Sequence, residues 1–376
     1  MNYSLIPRFY YTLPIKNYLS NLTADKTKLF YSKALFFNNA RTALKLLLNS
    51  ISDKQLNIGV QAYTCHTVFQ AIHNAGHKMV FIDLNQNFQL DLIDIKNKLN
   101  QIDILIVTHT FGFPENMEEI KEIVHDKIII EDCSHSFLSK YKNKYTGTLG
   151  DASIFSTGLG KFPPIGLGGF CMINHPSKFP FFDNFYAAIP KPKIYSSCMD
   201  FLKILVLSIM MKPPLYGLIT RKLGEKLDSK LDLGNKYSFT ESKAHPWIKR
   251  ILNKNYSFIQ KILCKNVENA NLLANLINNT KTIIPDNIKE SSPNYYIFPF
   301  LLENRNDIFN KFLANQIEPG KHFHKSILWA SEFGYKNGDC PNTERNIEKI
   351  LTVPTHYGVR KMEISKMASI INTYAK

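Results

Sequence analysis

The chain has 376 residues, of which 44% are hydrophobic and 20% charged, with a formal net charge of +15. This composition excludes a disordered polyelectrolyte, and the length exceeds what one small core needs, so a large and a small domain are expected. The charge fits either a surface that attracts polyanions (diphosphate-linked substrates, nucleic acid, anionic lipid) or a lysine- and asparagine-rich composition, while no arginine-rich or interleaved aromatic and basic motif points to specific nucleic-acid recognition.

The first half alternates helix-period and strand-like segments. Arg41 to Leu48 reads as a helix, Asn57 to Val60 as a strand, Val68 to Ala75 as a helix and Met79 to Asp83 as a strand. Leu92, Ile95 and Leu99 give Leu90 to Leu99 a helical apolar stripe, and Asp103 to Val107 is an apolar run suited to a strand covered on both faces. Met117, Ile120, Ile123 and Val124 line one side of the next helix, before a strand from Lys127 to Glu131. Such alternation implies an α/β fold with a largely parallel sheet, which binds ligands beyond the carboxyl ends of its strands, where Asp132 falls.

The run from Gly150 then breaks into a glycine-rich loop, Gly158-Leu-Gly-Lys161-Phe-Pro-Pro-Ile-Gly-Leu-Gly-Gly169. Residues 176–244 are proline-punctuated, aromatic and basic, and read as an insertion. Its apolar segment 201–211 is far short of the about 20 residues that span a bilayer. It is expected to be buried against the core or a partner subunit, with a monotopic contact to an anionic membrane face as the alternative. A long helical pattern from Pro246 to Thr280, a strand from Asn294 to Leu302, and helices from Asp307 to Ala314 and Ile364 to Tyr374 suggest a small α+β domain. The expected division is 1–244 and 245–376.

Lys161 lies just past a strand end among glycines and apolar residues. Desolvation of an ammonium there lowers its pKa and leaves an amine able to form a Schiff base. Asp132 ends the strand in Ile128-Ile-Ile-Glu-Asp132-Cys-Ser-His135. A lysine to carry an aldehyde and an aspartate to keep a pyridinium nitrogen protonated are the two groups that pyridoxal phosphate (PLP) requires.

Lys161 with Ser156 five residues before it, Gly166-Leu-Gly-Gly169 after it, and Glu131-Asp132-Cys-Ser-His135 upstream resemble the DegT/StrS family of PLP-dependent sugar aminotransferases. So do Ala62-Tyr-Thr-Cys-His-Thr-Val68, Ala75-Gly-His-Lys-Met-Val-Phe-Ile-Asp83, Thr108-His-Thr-Phe-Gly-Phe-Pro114 and Leu351-Thr-Val-Pro-Thr-His-Tyr357. The resemblance covers nearly the whole chain in order and weakens across about 176–244.

The resemblance implies an aspartate aminotransferase-like, fold type I architecture and a role for each matching position. Lys161 would carry the Schiff base and shuttle a proton; Asp132 would pair with the pyridinium nitrogen. His135 takes the place of a Gln or His near the ring oxygen. Ser156 would bond the phosphate, with Ala40 and Arg41 at the start of a helix, where backbone N–H groups form an anion site. The family usually sets an aromatic ring over the cofactor at Cys65, so His66 or a neighbour would have to substitute. Asn235, or Lys236 if the register slips, would reach the phosphate of a partner subunit. His322, His324 and His356 are candidate rim residues.

The implied activity is amino transfer from L-glutamate to a nucleotide-linked keto-sugar, for surface polysaccharide or a related glycan, by a homodimer. A PLP-dependent sugar dehydratase, in which the lysine is typically replaced by histidine, and an inactive scaffold are the alternatives. Six scattered cysteines without a C-x-x-C, and no signal-peptide pattern at Met1 to Arg8, suggest a cytoplasmic protein with reduced thiols, without nucleic-acid partners and at most peripheral to the membrane.

Overall fold

The structure, a computed structural model, describes residues 5–19, 29–212, 214–221 and 239–376. Its strands are β1 (Leu35–Phe37), β2 (Asn57–Gln61), β3 (Lys78–Ile82), β4 (Ile104–Thr108), β5 (Ile128–Asp132), β6 (Lys140–Tyr141), β7 (Lys144–Tyr145), β8 (Ala152–Ser156), β9 (Gly169–Ile173), β10 (Ser291–Ser292), β11 (Phe298–Leu301) and β12 (Ile350–Val353). The helices are α1 (Ile15–Leu19), α2 (Ala40–Asn49), α3 (His66–Asn74), α4 (Leu92–Lys98), α5 (Met117–Val124), α6 (Phe182–Ala188), α7 (Ile194–Met210), α8 (Pro246–Lys254), α9 (Tyr256–Leu276), α10 (Arg305–Ala314), α11 (Ser326–Ser331), α12 (Pro341–Ile347) and α13 (Lys361–Tyr374).

The main sheet has the order β1-β9-β8-β5-β4-β2-β3. The strands β3, β2, β4, β5 and β8 pair in parallel, whereas β9 is antiparallel to both β8 and β1. Every residue of β4 is buried, as its apolar run Ile104 to Val107 predicts for a strand covered on both faces. Two packed clusters flank the sheet: one holds Leu44, Leu47, Val60, Phe69 and Ile106, and the other runs from Phe9 and Val107 through Phe300 and Ile371. The second cluster is continuous across residue 245.

The parallel arrangement sets the ends of β4, β5 and β8 at one rim. Thr108 pairs with Asp132, and Asp132 with Ile154, so β8 ends two residues further on at Ser156. Helix α2 enters at the same rim, its N-cap Asn39 accepting the Thr42 N–H through its side chain at 2.9 Å.

Three expectations change. The predicted helix from Pro246 is broken at Asn255, a buried side chain that donates to Asn17 and Ile251 carbonyls. The predicted strand from Asn294 is paired only over Phe298–Leu301, because Asn294 bonds the His135 and Phe137 carbonyls instead. The 201–211 segment belongs to α7 and is not buried all round within the chain: of the helix only Ile204 and Ser208 are buried, while Leu202, Val206 and Ile209 are exposed.

Candidate active site

At the rim Asp132 is buried, and its Oδ1 accepts the Ser134 N–H at 2.9 Å. Its Oδ2 has no donor among the described residues. Lys161 is half-buried, with its Nζ 5.6 Å from the centre of the Tyr296 ring. Burial holds the Lys161 ammonium below the ordinary lysine pKa, opposed by the acidic groups of Cys65 and Asp132 nearby. The loop is anchored by the Tyr296 hydroxyl, which donates to the Gly160 carbonyl at 2.6 Å.

His135 neighbours the same tyrosine ring. Its ring stacks on Tyr296 at 4.5 Å and on Phe323 at 5.5 Å, with His322 edge-on at 5.1 Å. The Phe111 N–H points at His135 Nδ1 at 3.3 Å, so a neutral ring carries its proton on Nε2, free to donate. Burial, then the charge of Lys161, holds the His135 pKa well below the usual histidine value and keeps the ring neutral.

Ser156 and α2 meet through a glycine. Gly169 pairs with Ser156, and a Cβ on Gly169 would lie 2.7 Å from Ala40 N and 2.7 Å from Phe155 O. The first N–H groups of α2, at Ala40 and Arg41, lack intrahelical partners by position and adjoin the Ser156 strand end. Arg41 itself donates to Gln70 Oε1 at 2.7 Å and lies 5.1 Å from the Phe239 ring, so its side chain is held at the wall of the adjoining cleft. That cleft, about 1030 Å³, is also lined by His66, Lys191, Lys193 and Lys325.

The sequence pattern of the DegT/DnrJ/EryC1/StrS aminotransferase family matches residues 26–179 and 218–372. The chain belongs to this family. Over 158 residues it is 32% identical to the GDP-perosamine synthase of Escherichia coli O157:H7, a match covering 41% of this chain and 43% of that protein. An uncharacterized protein of Methanocaldococcus jannaschii, MJ1066, is 25% identical over 369 residues, covering 91% of this chain and 85% of that one. The solved sugar aminotransferase CalS13 of Micromonospora echinospora superposes with a TM-score of 0.73 at 14% identity, over 98% of this chain and 100% of that chain, which establishes the shared fold.

The residues present fit the family's PLP. A strand-end carboxylate with one oxygen unengaged, a lysine of lowered pKa beside it, and a helix N-terminus with a serine at the far end would meet the ring nitrogen, aldehyde and phosphate respectively. Cys65 is the N-cap residue of α3, close enough to influence Lys161 and Arg41 electrostatically. His66 turns from it: its ring packs on Trp329 at 6.0 Å and Phe333 at 5.7 Å, and its Nε2 lies 3.8 Å from Glu332. Asn235 and Lys236 lie outside the described residues.

The three candidate rim histidines separate. His322 is buried against His135, and its Nε2 has no hydrogen-bond partner among the described residues. Burial, then Arg8 and Lys161, holds its pKa well below the histidine norm. His324 is exposed, its Nδ1 2.9 Å from the Lys321 carbonyl. His356 is buried and donates from Nε2 to the Pro7 carbonyl at 2.9 Å, which fixes the N-terminal segment.

That segment carries a residue the sequence did not single out. The Arg8 guanidinium lies 4.6 Å from the Phe9 ring, which stacks on Tyr296 at 5.1 Å and meets His322 edge-on at 6.2 Å. Arg8 Nε is buried without a hydrogen-bond partner among the described residues. Two buried nitrogens that are unpaired among the described residues, Arg8 Nε and His322 Nε2, thus lie in the aromatic cluster around Tyr296.

The cluster His109, Glu131 and Cys133 is buried, with ligand atoms within 4.8 Å of one another. Both Glu131 oxygens already accept N–H groups, so the cluster is a staple of the fold.

Proposed function

We propose that this chain is a PLP-dependent aminotransferase that moves an amino group from L-glutamate to a nucleotide-linked keto-sugar, for surface polysaccharide or a related glycan. The observation that carries the reading is the lysine of lowered pKa, Lys161, beside the half-engaged carboxylate of Asp132 at the rim of the parallel sheet. PLP, when bound, supplies an electron sink for the negative charge that forms when the donor's α carbon loses its proton.

The chain's own groups do the rest. Asp132 Oδ2 would hold the proton on the ring nitrogen by an ion pair, and His135 Nε2–H would donate to the ring oxygen. Ser156 Oγ and the N–H groups of Ala40 and Arg41 would bind the phosphate. Lys161 Nζ, favoured as a neutral amine by desolvation, is the base that accepts and returns the substrate proton. Arg8 Nε, unpaired among the described residues, offers a donor to a carboxylate, which supports an amino acid as donor. Lys191, Lys193 and Lys325 around the cleft suit a diphosphate.

The six cysteines are free, which accords with a cytoplasmic setting. A homodimer is part of the proposal, with the partner completing the phosphate site. The dehydratase reading keeps PLP but calls for a replaced lysine, and Lys161 is present.

The test is the visible absorbance of the purified protein before and after L-glutamate, for wild type and Lys161→Ala. The expected result is a PLP band that glutamate abolishes and that is displaced or missing in the variant. A wild-type protein that takes up no PLP would overturn the reading.

A further inference from the structure

Helix α7 is bound on one side and bare on the other. Its inner face backs directly onto the loop that follows Lys161: a Cβ on Gly166 would lie 2.8 Å from Ile204 Cδ1. Phe201 on the same side packs edge-on against Trp247 at 5.3 Å. On the opposite side Tyr195, Met199, Leu202, Val206 and Ile209 are exposed, between 37% and 76%. They recur at intervals of four, three, four and three residues, which keeps them on one stripe of the helix.

Charge decides what covers this stripe. From 189 to 212 the chain has four lysines (Lys191, Lys193, Lys203 and Lys212) and a single acid, Asp200. Asp200 is already engaged by Lys203 at 3.0 Å and by His245 at 3.0 Å. A second copy of the helix would bring like charges together, whereas an anionic surface would neutralise them. A bare apolar stripe rimmed by lysines is the chemistry of a helix lying in a lipid headgroup layer.

We propose that α7 docks the protein on an anionic lipid bilayer, lying in its interface without crossing it. Among the described residues no helix is long and apolar enough to span a membrane, and the inner face of α7 is committed to the protein. The start of the helix also walls the cleft beside Arg41, through Lys193, Ser196 and Asp200. Docking therefore sets that cleft next to the membrane surface.

The experiment is co-sedimentation of the full-length, PLP-loaded protein with phosphatidylcholine vesicles, with and without phosphatidylglycerol, for wild type and Leu202→Glu/Val206→Glu. Circular dichroism and the PLP band report that the variant is folded. Wild type should bind the phosphatidylglycerol vesicles, at least about tenfold less to phosphatidylcholine alone, and the variant should lose about tenfold or more of its binding. Raising salt to about 1 M, where the Debye length is about 3 Å, should weaken the wild-type interaction. The proposal is overturned by a folded wild type that ignores anionic vesicles, or by a variant that binds them equally well. It is also overturned if light scattering finds a self-association that the variant abolishes, without vesicle binding, which would make the stripe a contact between copies.

Discussion

Glu131 and Asp132 are neighbours on β5, and their side chains serve opposite faces of the sheet. Asp132 faces the Lys161 site with one oxygen unengaged. Glu131 faces away, its Oε1 accepting the N–H groups of Leu149 at 2.7 Å and Gly150 at 2.6 Å, its Oε2 those of Gly147 at 2.7 Å and His109 Nε2 at 2.9 Å. His109 is fixed as a donor there because its Nδ1 accepts the Glu115 N–H at 3.0 Å. One carboxylate holds the turn before β8 in place, and the other keeps an oxygen unengaged among the described residues.

This division predicts a double dissociation. Glu131→Gln turns an amide NH2 toward N–H donors and should cost about 1–3 kcal/mol or more in urea unfolding. Asp132→Asn should leave stability within about 1 kcal/mol of wild type and lower kcat by about a hundredfold or more. Equal losses of stability in the two variants would contradict the assignment.

Gly169 should be irreplaceable for a steric reason. An alanine Cβ would stand 2.7 Å from Ala40 N and Phe155 O, both backbone atoms that cannot rotate away. Gly169→Ala should therefore push α2 from the Ser156 strand end, costing about 1–3 kcal/mol of stability. It should also weaken PLP and inorganic phosphate binding alike. Gly158→Ala is the control, since its Cβ would meet nothing nearer than Ser156 Oγ at 3.5 Å. Titration with PLP and a thermal melt of each variant separate the two.

The alternating half was legible because covered strands and one-sided helices leave distinct periods, and β4 and α5 lie where Ile104 to Val107 and Met117 to Val124 place them. The antiparallel strands β1 and β9 were not legible. Leu35–Phe37 is too short to show a period, and Gly169–Ile173 reads as the tail of a glycine-rich loop. The aromatic run at Asn294 misled for another reason. Tyr295 adopts a positive φ of 45° and Tyr296 turns to the Lys161 loop, so apolar character there serves the site rather than a ladder. Arg8 carries no local signal at all, since its meaning lies in Tyr296 and His322, some three hundred residues away.

Arg8 should govern the affinity for an amino donor. With its Nε buried and unpaired among the described residues, a carboxylate is the partner that would satisfy it. Arg8→Gln should raise KM for L-glutamate about tenfold or more while changing kcat less, the signature of lost binding common to ground and transition states. A donor amine without a carboxylate should not distinguish the two proteins. An unchanged KM for glutamate would remove Arg8 from the site while leaving the transaminase reading intact.

Glu115 gives the fold a pH dependence of defined sign. Its carboxyl is buried, accepts the Leu90 N–H at 3.1 Å, and is pushed up to about 8 by desolvation. In the unfolded chain it titrates near 4.5, so between about pH 4.5 and 8 the folded state binds the extra proton and stability falls as pH rises. His356, held down to about 4 by burial, acts in the opposite sense: the unfolded chain takes the proton first, and stability falls as pH drops from about 6.5 toward 4. Glu115→Gln keeps the acceptor and removes the titration. Its unfolding free energy should therefore exceed that of wild type by about 1 kcal/mol or more at pH 8, with the difference shrinking toward pH 5. Parallel stability curves for the two proteins between those pH values would show that Glu115 is ionised in the fold.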